Sequence, residues 1–127
     1  MGNIQAFILI LIIHFLADFA LQTYEQSTKK GESNKWLFYH VGTYTLVWST
    51  VFLILPIQVE YPFYSWLLFT LLIGVPHFIV DWVTSRIGKP FWKSQDFHNG
   101  FVVVGADQVI HYLCLIAVFY LYGLIQN

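Results

Sequence analysis

The chain has 127 residues, 57% hydrophobic, 20% aromatic and only 10% charged, with a mean hydropathy of +0.63 and a formal net charge of −1. An average globular chain carries about 25% charge, so too few charged groups are present to coat a water-soluble surface, and the bilayer is the expected solvent. Abundant aromatics exclude a disordered chain, the lack of a Lys/Arg stripe excludes nucleic-acid binding, and the lone Cys114 excludes an internal disulfide.

Four apolar runs, each near the roughly 20 residues that cross a hydrocarbon core, predict helices over 4–22, 36–57, 64–85 and 101–125. The first run lacks a basic flank and a small-residue cleavage pattern, so it reads as a retained helix and not a secretory leader. The expected fold is all-α: one transmembrane domain over residues 1–127, built as an integral membrane four-helix bundle. Lys29, Lys30, Lys35, Arg86, Lys89 and Lys93 all fall in the first and third connections, which places those connections in the cytoplasm and both termini on the non-cytoplasmic side. Trp and Tyr residues near the run ends suit interfacial belts.

Three of the four predicted helices carry a His and an Asp four residues apart: His14 with Asp18, His77 with Asp81, and Asp107 with His111. That spacing puts each pair on one helix face. The order reverses in the last helix, which runs the opposite way from the first and third, so in all three the Asp lies nearer the cytoplasm and the His about 6 Å deeper, from the 1.5 Å rise per residue. His40 reaches a comparable depth from the second helix, and Gln22 and Gln108 flank the region. A carboxylate near the bilayer centre costs on the order of 3 kcal/mol on insertion scales, so three of them require a compensating partner.

A divalent metal, zinc above all, fits imidazole and carboxylate donors. His14, His77 and His111 would then be ligands, with Asp18, Asp81 and Asp107 as ligands, second acceptors or catalytic bases. A hydrogen-bond network that only ties helices together and a proton or ion pathway are the two alternatives. Pro76 before His77 is expected to bend the third helix, and Asp96 and His98 are expected in a solvated loop, with a cap on the fourth helix or an extension of the site as the alternatives. Lys30 and Arg86 are expected to meet lipid headgroups.

The segments His14-Phe-Leu-Ala-Asp18-Phe-Ala-Leu-Gln22, His77-Phe-Ile-Val-Asp81 and Asp107-Gln108-Val-Ile-His111 resemble a family of small bacterial membrane proteins catalogued as domain of unknown function 3307. The resemblance implies a bacterial inner-membrane protein in which these residues act as a group, and it implies no reaction. Members often carry a second His four residues after the position matching His40, where this chain has Tyr44. The residue chemistry then supports a metal-dependent hydrolase of a lipid or lipid-linked substrate. Its competitors are a proton- or cation-coupled transporter and a non-catalytic membrane subunit. Membrane lipids are the expected partners, and four helices enclose so little volume that a homodimer is also expected.

Overall fold

A computed structural model describes residues 1–126. Helix α1 (Asn3–Phe15) passes directly into a π-helical turn at Leu16–Ala20, followed by a short α2 (Tyr24–Lys29), then α3 (Asn34–Phe52), α4 (Pro62–Lys93) and α5 (Phe97–Leu121). No strand forms among the described residues.

Three helical stretches, Asn3–Ala20, α4 and α5, are long and apolar enough to cross a membrane. The 19 residues of α3 are diluted by Lys35, His40 and hydroxyls between Thr43 and Thr50, and α3 falls outside that set. Its run was expected to continue to residue 57 but stops at Phe52, because Pro56 disfavours helical backbone at Leu55. The third predicted helix begins early, with Pro62 in the first turn where its missing N–H is no loss, and continues past 85 to Lys93 through both Pro76 and Pro90. Gly88 in that extension is buried near Val103 of α5, so packing carries the helix onward. The last helix is displaced from 101–125 to 97–121. Asp96 accepts at Oδ1 from Asn99 N (3.2 Å), so it caps the helix where a solvated loop was expected, and Gly123 ends the helix at φ 67°, where a side chain would be strained.

The polarity is inverted relative to a soluble protein. Ile4, Leu46 and Leu113 are 76%, 68% and 61% exposed, whereas His14, His40, His77 and Asp81 are buried. Such a surface suits lipid. Helix α4 packs against both α3 and α5, α1 against α5, and the π turn and α2 against α3. Asn3 Nδ2 donates to Gln126 O (2.6 Å) and Gln126 N to Asn3 Oδ1 (2.9 Å), so the two ends of the chain meet. Near them lies an apolar core of Trp48, Phe52, Phe69 and Phe119, with Trp48 edge-on to Phe119 at 5.7 Å. The six cations lie toward the other end, around α2, the start of α3 and the end of α4.

Candidate metal centre

The site is assembled from three local devices. Spacing of four stacks His and Asp on one face of α4 and of α5. On α1 the π turn, closed by Leu21 N donating to Leu16 O (2.9 Å), re-aims Asp18; such turns concentrate at functional sites. The third device is the connection after α2. A Cβ on Gly31 would stand 2.9 Å from the backbone oxygen of Ser85, so only glycine lets this strap lie flat on α4 and carry Lys30 inward.

His40 is the hub. Its Nε2 lies 3.0 Å from Asp18 Oδ1, 3.0 Å from Asp81 Oδ2 and 3.3 Å from His77 Nε2. His77 Nε2 in turn lies 3.6 Å from Asp18 Oδ1 and 3.7 Å from Asp81 Oδ2. Tetrahedral coordination with bonds of about 2.0–2.1 Å requires ligand atoms about 3.3–3.4 Å apart, and these separations straddle that edge length. Asp18, His40, His77 and Asp81 therefore form one buried group that could hold a metal ion, and Asp18, Asp107 and His111 form a second that shares Asp18. His111 Nε2 joins the two, at 3.0 Å from Asp81 Oδ1 and 3.4 Å from Asp107 Oδ1.

Two features remain unbalanced without a cation. Asp18 Oδ1 is buried and accepts no hydrogen bond despite its closeness to His40. Three carboxylates, Asp18, Asp81 and Asp107, face one ammonium, Lys30, which leaves two negative charges in excess when the imidazoles are neutral. Lys30 Nζ sits 2.8 Å from Asp81 Oδ2 and 3.3 Å from His40 Nε2. Burial works against the Lys30 ammonium, but Asp81 and Asp18 outweigh it and raise the pKa above the ordinary lysine value.

The remaining polar groups frame this core. Gln108 Nε2 donates to Asp18 Oδ2 and Asp107 Oδ2 (both 3.0 Å), which fixes the amide so that Oε1 accepts from His14 Nε2 (2.8 Å). His14 Nδ1 is then left to accept from the Tyr44 hydroxyl (3.0 Å). Tyr44 also stacks on the His77 ring, centroids 3.6 Å apart and planes 12° from parallel, and clamps that imidazole. Thr84 Oγ1 donates to Asp107 Oδ1 (2.5 Å).

Of the residues singled out in the sequence, Asp18, His77, Asp81, Asp107 and His111 do converge. His14 lies outside both groups because its two ring nitrogens are committed to Gln108 and Tyr44, so the structure does not gather His14, His77 and His111 as one triad. His40, expected at the margin, is central. Lys30, expected at headgroups, reaches into the cluster, where Asp81 offers it a buried carboxylate. Arg86 lies over Trp82 (4.5 Å) and donates to Asn34 Oδ1 (2.6 Å) and Trp82 O (3.1 Å). Gln22 borders the site, its Oε1 buried without a partner. Sequence reasoning missed Tyr44, which shares a helix face with His40 at spacing four, and it missed α2. The signal for α2 was legible as Thr23-x-x-Gln26: Thr23 Oγ1 accepts from Gln26 N (3.2 Å) while Gln26 Oε1 accepts from Thr23 N (3.1 Å).

Beside the cluster opens a cavity of about 550 Å³. Asp18, Asp107 and Gln108 form its inner wall, Lys30, Lys89 and Lys93 its basic side, and Phe19, Trp92 and Val103 part of its apolar side.

Helices with membrane-spanning length around a buried His/Asp cluster define a membrane protein with a candidate metal centre. The chain belongs to the family described as protein of unknown function (DUF3307), which matches residues 6–127. No curated protein and no solved structure matches it.

Proposed function

We propose that this is a metal-dependent hydrolase of a lipid or lipid-linked substrate, embedded in a cytoplasmic membrane as a four-helix bundle with both termini outside. The observation that carries the reading is the convergence of Asp18, His40, His77 and Asp81 at metal-ligand separations on the wall side of an accessible cavity. The two negative charges left in excess when the imidazoles are neutral, as metal ligation requires, suit one divalent ion, with zinc favoured by the nitrogen and oxygen donors. A second ion at Asp18, Asp107 and His111 would make a bridged pair. The orientation is supported by the cations gathering at the end opposite the joined termini.

A divalent ion held there supplies activation of water at neutral pH and polarisation of the scissile group. The chain's own residues do the rest. With the four-ligand group alone filled, Asp107 is the best placed base: it borders the cavity, lies outside that group, and is oriented by Thr84 and Gln108. It takes a proton from the attacking water and returns it to the leaving oxygen, so that one ester bond and one water give an acid and an alcohol. His14 and Tyr44 act as positioning residues, the first through Gln108 and the second through His77. The transporter alternative is disfavoured by the apolar end, where Trp48, Phe69 and Phe119 are fully buried in one core cluster that carries no carboxylate or imidazole.

Elemental analysis of detergent-purified protein tests the reading. Roughly one to two metal atoms per chain are expected from the two ligand groups, falling close to none in an Asp18→Ala, His77→Ala double variant whose helical content is retained. Equal metal in both proteins, or none in either, would overturn it.

A further inference from the structure

The cavity contains chemistry that the metal reading does not use. Lys89 and Lys93 stand one helical turn apart on the C-terminal extension of α4, and both reach the same carboxylate, Glu32, at 3.2 Å and 3.6 Å. Glu32 is 51% exposed, and Lys89 and Lys93 are 36% and 65% exposed, so these are surface pairs of the kind that exchange partners readily. Lys89, then Lys93, holds the Glu32 carboxyl below its usual pKa, which marks the spot as one that favours an anion. Ser85 Oγ, on the same wall, is a buried hydroxyl without a partner. Phe19, Trp92 and Val103 continue the cavity as apolar surface, and Phe19 and Trp92 are 41% and 40% exposed.

We propose that the cavity binds a phosphate-bearing amphiphile, with the phosphate between Lys89 and Lys93 in the place Glu32 occupies here, and the hydrocarbon along Phe19, Trp92 and Val103. This names the substrate class for the hydrolase reading and rests on that reading only for the ligand's fate, not for its binding. Formal charge couples the two sites. Lys30, Lys89 and Lys93 face Asp18, Asp81, Asp107 and Glu32 across the cluster and the cavity, which leaves one negative charge in excess when the imidazoles are neutral, and a divalent ion turns the sum positive by one. Ion binding therefore strengthens anion binding. Ser85 supplies a neutral donor to a phosphate oxygen.

The test compares three probes on the full chain in detergent by titration calorimetry: short-chain phosphatidic acid, inorganic phosphate, and a diacylglycerol of the same chain length. Phosphatidic acid is expected to bind about tenfold or more tightly than either other probe, since charge-assisted hydrogen bonds and apolar contact each contribute. A Lys89→Gln, Lys93→Gln double variant is expected to raise the Kd for phosphatidic acid about tenfold, and Glu32→Gln to lower it severalfold by removing the competing carboxylate. Diacylglycerol binding as tightly as phosphatidic acid would overturn the anion site, and inorganic phosphate binding as tightly would overturn the amphiphile in favour of a soluble phosphate. Metal is measured on the same samples. Metal-free wild-type protein that still binds phosphatidic acid through the lysines removes the hydrolase reading and leaves this one; metal-loaded protein that binds none removes this one alone.

Discussion

The two ends of the molecule use opposite physics to hold the same helices. Near the joined termini, Trp48, Phe52, Phe69 and Phe119 interlock by shape, and since lipid tails are as apolar as these side chains, only the closeness of packing favours the folded arrangement. Near the cations, Asp18, His40, His77, Asp81, Asp107 and His111 are held by directional contacts that no lipid can replace. The apolar end is tolerant and replaceable; the polar end is costly, and its cost is reason to look for a ligand there.

The largest expected effect breaks the polar end by orphaning a charge. Asp81→Ala leaves Lys30 without its 2.8 Å partner and should destabilise the protein by about 3–5 kcal/mol, the usual result of removing one member of a buried pair. An added Lys30→Met should restore much of that loss in thermal unfolding in detergent. If the single and double variants unfold together, Lys30 is not the buried counter-ion described above.

A smaller effect is expected at the apolar end. Trp48→Ala opens a cavity beside Phe119, yet the cost should fall below the roughly 3–5 kcal/mol seen for large-to-small changes in water, because the transfer part of that cost is missing when the unfolded reference is lipid. Metal content should be unchanged. Loss of metal in this variant would show that the two ends are not separable.

The smallest effect lies at the start of α5. The Asn99 side chain, then its backbone N–H, holds the Asp96 carboxyl below its usual range. A depressed carboxyl adds stability above its unfolded pKa and loses it as pH falls through the folded one. The midpoint of thermal unfolding should therefore drop slightly on acidification below the ordinary carboxylate range. Asp96→Asn should flatten that slope without touching metal content, and an unchanged slope would dismiss the cap as a source of acid sensitivity.

The sequence by itself determined the solvent and the donors. Composition required lipid, and spacing four put His77 with Asp81 and Asp107 with His111 on common faces, because helical periodicity is a local property of the chain. The Asp96 cap is a local feature too, but a solvated loop was the stronger expectation there, because a polar connection and a cap look alike until the backbone of Asn99 is placed. Tertiary structure decided which donors meet. His14 falls outside both groups that could hold a metal because a glutamine from α5 and a tyrosine from α3 claim its two nitrogens. His40 became central because α3 packs between the π turn and α4, and Lys30 entered because Gly31 lets its strap lie on Ser85. None of these follows from spacing along one helix. Each depends on the approach of segments distant in sequence, where close packing selects one partner among several chemically equal ones.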